Sequence, residues 1–189
     1  VQEFRRPEFK VSVQASEGPH VIGESATATV TAAYYAGGGL PYAEVEWRVT
    51  SNPGKFEPPN HGDFTFGSWR PWWTPWQPPQ RDTHTWTFTG HTDATGKHHI
   101  RIDFDHVNPP QAMNVTVESS VTDVNRQMWS SSVNLLVHPA VHYVGLRSKR
   151  PYVQRGDPIK VEAIVTDLDG KLLIGRSIKI SAAHLVWTY

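Results

Sequence analysis

Four tryptophans fall within eight residues, Trp69, Trp72, Trp73 and Trp76, interleaved with Pro71 and Pro75 and followed by Pro78-Pro79. Indole faces at this density can stack on sugar rings or line a groove for an extended peptide. The same rings can also lie over the edge of a sheet and tie down their own loop, or dock a neighbouring domain. Histidines and carboxylates gather at His98-His99, Asp103, Asp105 and His106. On a strand, however, His98 and His99 point to opposite faces and cannot chelate one ion. Ser130-Ser131-Ser132 precedes an apolar run, and no serine sits in a Gly-x-Ser-x-Gly elbow. Glu44 and Glu46 share one strand face, whereas a glycosidase pair needs carboxylates opposed across a cleft. Asp167-Leu168-Asp169-Gly170 lacks the longer ladder and terminal Glu of a calcium loop, so a β-turn is expected there. Asn114-Val115-Thr116 is a glycosylation sequon in form. No catalytic, metal or cofactor site is expected, and the Trp cluster is the one ligand or domain-docking surface the residues suggest.

The elements that would hold these residues are strands. Fifteen Pro, 14 Gly, abundant Thr and Val and only two Met in 189 residues fit an all-β chain with many turns. Basic and acidic residues balance at 18 each, so no basic stripe points to nucleic acid. No apolar stretch approaches membrane-spanning length, so no direct membrane insertion is expected. Cysteine is absent, which removes disulfides and thiolate chemistry from this segment.

Seven segments before residue 140 alternate apolar and polar residues with period two. They centre on Phe9–Ala15, Ala26–Tyr34, Val45–Val49, Thr85–Thr89, Ile100–Phe104, Val115–Val121 and Val133–Val137. Such a set reads as a seven-stranded antiparallel β-sandwich. Its inward rows are expected to include Val30, Trp47, Phe88, Ile102, Val117 and Leu135. Residues 51–82, rich in Pro and Trp, cannot form a central strand and read as a long, partly polyproline II insertion in this first domain. After His138-Pro139 the alternation restarts, which divides the chain into domains at 1–140 and 141–189.

Residues 23–47 are echoed without a gap at 156–180. Gly23-Glu24 matches Gly156-Asp157, Gly37 matches Gly170, Leu40 matches Leu173 and Val45 matches Ile178. A constant offset that keeps strand parity implies tandem domains, one complete and one represented by its opening strands. Apolar Ile159, Val161 and Ile178 would then be short of partners.

The order of these motifs resembles the macroglobulin domains of α2-macroglobulins, bacterial ones in particular. Phe4-Arg5-Arg6-Pro7-Glu8-Phe9-Lys10-Val11 is similar to the entry of the third such domain. Tyr34 to Pro41 with Ala43-Glu44-Val45 resembles the strand, turn, Pro and strand at the front of these domains. Val153 to Pro158 and Asp167 to Leu172 resemble the start of the next. The resemblance implies a fibronectin-III/immunoglobulin-like β-sandwich followed by a partial second one, in a large periplasmic, extracellular or cell-surface protein. Such proteins trap proteases through a bait segment, and many carry a Cys–Gln thioester. Neither device can be matched to residues here. The implied role is a non-enzymatic scaffold whose partners are neighbouring domains of the same full-length chain and, through the full-length protein, target proteases. The alternative is a carbohydrate- or peptide-binding surface module using Trp69, Trp72, Trp73 and Trp76.

Overall fold

A computed structural model describes residues 8–68, 83–150, 152–154 and 156–183. These form strands β1 (Phe9–Ala15), β2 (His20–Val21), β3 (Ser25–Tyr34), β4 (Glu44–Pro53), β5 (Thr65–Phe66) and β6 (His84–His91). They continue with β7 (Lys97–Asp103), β8 (Met113–Thr122), β9 (Met128–His138), β10 (Tyr143–Ser148) and β11 (Val161–Thr166). No helix occurs among the described residues. The chain divides into two compact units, Val1–Phe56 with Arg70–Val141, and Glu57–Trp69 with His142–Tyr189.

All seven strands expected before residue 140 are present in the first unit, and β2 is an additional short one. A three-stranded sheet of order β1-β3-β7 packs on a five-stranded sheet of order β2-β9-β8-β4-β6. Pairing is antiparallel except for β2 with β9. Period-two alternation explains the layering. In β3, Ala26, Ala28, Val30 and Ala32 are buried between the sheets, while in β4 Val45, Trp47 and Val49 meet them from the other side. Cross-sheet hydrogen bonds fix which strand faces which: Val13 N–H of β1 donates to Ser131 Oγ of β9 (3.3 Å), and Trp47 Nε1–H of β4 donates to His98 Nδ1 of β7 (3.0 Å).

Phe88 departs from its expected place in the core. It pairs with Trp47 in register, and Trp86 with Val49, so both rings share the inward parity of β4. They nevertheless remain 44% and 42% exposed. The smaller sheet ends at β7, and no strand among the described residues lies over β6. Parity predicts which way a side chain faces; burial also needs an opposing layer.

In the second unit β10 and β11 reproduce β1 and β3. Tyr143 pairs with Thr166 as Lys10 pairs with Ala33, the same register shifted by the repeat offset. The bridge Ala33–Gly39 recurs as Thr166–Leu172. The Leu40 N–H to Ala32 C=O bond (2.9 Å) recurs from Leu173 to Val165 (2.8 Å). Left-handed backbone at Gly23, Gly37 and Tyr42 recurs at Gly156, Gly170 and Gly175. The equivalence ends after this turn. Ile178 lies in no strand, whereas its counterpart Val45 is buried within β4. The physical reason is pairing: β4 is held between β6 and β8, and the described part of the second unit has no counterpart of either. Ile159, Val161 and Ile180 accordingly stay exposed. The terminal run 185–189 lies outside the described residues, as do Phe4 to Pro7.

The 51–82 excursion differs from a simple insertion in the first domain. Its opening residues extend β4 to Pro53, and Glu57–Trp69 joins the second unit. There β5 pairs antiparallel with β10, Gly145 opposite Phe66 and Leu146 opposite Thr65, giving the sheet order β11-β10-β5. Phe66 is buried because Gly145 has no side chain: a Cβ there would sit 2.7 Å from the ring. Arg147 fastens the same segment, with its guanidinium bonded to both Asp63 and Glu162 and lying 4.4 Å from the Phe64 ring centroid. His61 Nε2 lies 2.7 Å from the Gly170 carbonyl, as a donor to it, at the turn.

Candidate functional site

The overhang of β6 beyond β7 creates an aromatic-lined concavity in the first unit. At one end it is closed. His98 of β7 lies so near β6 that a Cβ on Gly90 would come 2.3 Å from its Nε2, and Trp47 holds the ring through Nδ1. From there the two strands part. Phe88, Trp86 and His84 line the β6 side, while Ile102, Phe104 and Val107 follow on the opposite side. The opening contains two adjoining cavities. One of about 230 Å³ lies between Phe88, Trp86, Val49 and Ile102. The other, about 250 Å³, lies between Trp86, His84, Phe104, His106 and Met113. Trp86, Ile102, Asp103 and Asp105 border both. The floor is apolar and aromatic, and the rim carries Arg101, Asp103 and Asp105; Arg101 Nε–H donates to Asp103 at 2.8 Å.

Burial and the nearby His99 and His91 hold the His98 imidazole below the ordinary histidine range, burial being the larger cause. Since indole N–H can only donate, His98 Nδ1 is the acceptor and any ring proton resides on Nε2. The buried His138 is likewise pushed down, first by burial and then by His20. Its ring meets Phe56 edge-on, with centroids 4.6 Å apart.

The structure separates the residues that looked suited to chemistry. His98 faces inward to Trp47, while His99 faces outward, its Nδ1 2.8 Å from Thr29 Oγ1, as strand parity requires. Asp103 is engaged by Arg101. No group of three or more His, Asp or Glu among the described residues is arranged to hold a metal ion. Ser131 accepts from the Val13 backbone, and Glu44 and Glu46 lie on the outer face of β4. Asp167 Oδ1 accepts from the N–H groups of Asp169 and Lys171, and so caps a β-turn. Thr116 of the sequon donates to Asn134 Oδ1 at 2.7 Å on β8. Trp69, Trp72, Trp73 and Trp76 lie outside the described residues. The cleft was not legible in the sequence because its signal is an adjacency: among the described residues no strand lies opposite the inward row His84, Trp86, Phe88 and Gly90.

A β-sandwich of three on five strands, followed by a repeat of its first hairpin, makes the described residues an all-β architecture. Solved structures of bacterial α2-macroglobulins share this fold. The native conformation of the Escherichia coli protein superposes with a TM-score of 0.63 at 13% identity, covering 90% of this chain and 11% of that one. Salmonella α2-macroglobulin reacted with methylamine gives a TM-score of 0.63 at 12% identity, covering 90% and 12%. Among curated proteins, the α2-macroglobulin homolog of Nostoc is 24% identical over 188 residues, covering 100% of this chain and 10% of its own length. Circularly permutated Ras protein 2 of Dictyostelium discoideum is 30% identical over 195 residues, covering 96% and 5%. The chain thus spans a tenth or less of the curated relatives it matches. No family model matches it. The likeness to bacterial α2-macroglobulins read from the sequence therefore recurs in both sequence and fold comparisons.

Proposed function

We propose that this chain is a structural scaffold segment of an α2-macroglobulin-like protease-trapping protein, located in the periplasm, outside the cell or at its surface. It holds neighbouring domains in place and has no catalytic role of its own. The observation that carries this reading is the match to bacterial α2-macroglobulins along nine-tenths of the chain, across both units. The internal repeat supports it, since a duplicated hairpin in identical register is what a row of like domains produces. With no cysteine in residues 1–189, a thioester would have to reside elsewhere. Scaffolding requires a fixed core rather than a reactive centre, and the first unit has such a core around Trp47.

The test uses the protein carrying this segment at full length, incubated with trypsin. Trapping is read as loss of trypsin activity on casein with retained activity on a small chromogenic amide. A Trp47→Ala variant should lower the trapped fraction while leaving cleavage of the full-length chain intact. Hydrolysis of a substrate by the 189-residue chain alone, or unchanged trapping in the variant, would overturn the reading.

A further inference from the structure

The cleft between β6 and β7 has properties that scaffolding does not call for. Both strands are terminal in their sheets, so each presents an unpaired backbone edge among the described residues. Between them, Trp86 and Phe88 face inward with no strand above them among the described residues. A fourth strand on the free edge of β7 would lie over these two rings. Its alternate side chains would enter the sandwich about 7 Å apart. That is the interval at which Phe88, Trp86 and His84 succeed one another along β6, and the two cavities lie on either side of Trp86 along this row. Each has room for one aliphatic side chain. The rim sets two carboxylates, Asp103 and Asp105, against the single guanidinium of Arg101, which leaves one negative charge over.

We propose that the free edge of β7 takes up an extended peptide strand of a partner, with apolar residues at alternate positions seated on Trp86 and Phe88 and basic residues between them facing Asp103 and Asp105. Backbone hydrogen bonds to β7 supply affinity, and the two cavities and the acidic rim supply selectivity. Strand addition already occurs elsewhere in this molecule. β5, drawn from a distant part of the sequence, pairs with the free edge of β10 and buries Phe66 over Gly145. A sugar would use the aromatic faces but leave the backbone edge of β7 unpaired.

The probe is a capped peptide of about nine residues in which valine and lysine alternate, matched to a strand of ordinary length. It is added to the 189-residue chain and followed by amide hydrogen exchange and by 1H–15N spectra. The expected result is new protection of β7 amides, with shifts confined to β6, β7 and the 104–107 segment. Trp86→Ala should weaken binding by about tenfold or more, a loss of about 1.4 kcal/mol. Asp105 is exposed, so Asp105→Lys should leave the fold intact, weaken the valine–lysine peptide and strengthen a valine–glutamate one. The proposal is overturned by unchanged exchange in β7, by shifts centred elsewhere, or by indifference of both peptides to Asp105→Lys. It is equally overturned if a linear hexasaccharide perturbs Trp86 and the peptide does not.

Discussion

Trp47 is the residue on which the first unit most depends. It is fully buried, pairs with Phe88 on one side and Ser119 on the other, and anchors His98 across the sandwich. Trp47→Ala should cost about 3–5 kcal/mol, through lost burial and the cavity left behind. An unchanged melting temperature would show that the unit is held together elsewhere. His98 and His138 make a second prediction. Both are held below the ordinary histidine range by burial, so the unfolded chain binds protons more readily than the folded one. Stability contributed by the neutral rings is complete above the unfolded value, about 6.5. It falls as pH drops below that value and is lost once pH passes the folded values. Protonation would also turn Nδ1 of His98 into a donor facing the Trp47 N–H, ending that bond. Melting temperatures measured from pH 8 down to pH 5 should therefore decline. His98→Gln, which keeps an acceptor for Trp47 but cannot titrate, should flatten the slope. A slope unaltered by that change would remove His98 from the account.

At the scale of elements, the first hairpin of each unit was legible because sequence and backbone obey the same constraint. Glycines at 37 and 170 adopt the left-handed turn, apolar parity selects one face, and together these force equal register in β1–β3 and β10–β11. The fate of Ile178 was not legible. Its alternation with Ile180 is strand-like, but a strand exists only with a neighbour to pair with, and pairing is not written in local pattern. The exposure of Phe88 escaped for the same reason, one layer removed. β5 was hidden by its shortness: two residues carry no period, and only the buried Phe66 opposite Gly145 reveals the pairing. That pairing is testable. Gly145→Val would place side-chain atoms inside the Phe66 ring position, where even a Cβ would be 2.7 Å away. It should expel Phe66 and free β5, seen as lost exchange protection in β10 with the core of the first unit unaffected. Protection of Leu146 equal to that of the parent would contradict the contact.

For the molecule as a whole, the consequential feature is that domain and sequence order do not coincide. The alternation restarts after His138-Pro139, yet β5, from a segment between β4 and β6, completes the second unit's sheet. The segment is secured there by three kinds of contact. Ladder hydrogen bonds join it to β10, Arg147 grips Asp63 and covers Phe64, and the close approach of Pro59 to Gly170 admits no side chain at that glycine. Charge contributes to the grip, since Glu162 is held below the usual carboxylate range chiefly by its hydrogen bond to Arg147. Pairing on both sides of β10 is what a short two-stranded hairpin lacks, and such hairpins are marginal in water. Residues 142–189 expressed alone should therefore give collapsed amide dispersion or associate through the bare edge of β10. Addition of a peptide spanning residues 57–68 should restore dispersed signals for Val144 to Ser148, and an Asp63→Ala peptide should do so less well. If residues 142–189 fold unaided with the same protection in β10, then β5 decorates the second unit rather than completing it, and the two units are separable by a single cut.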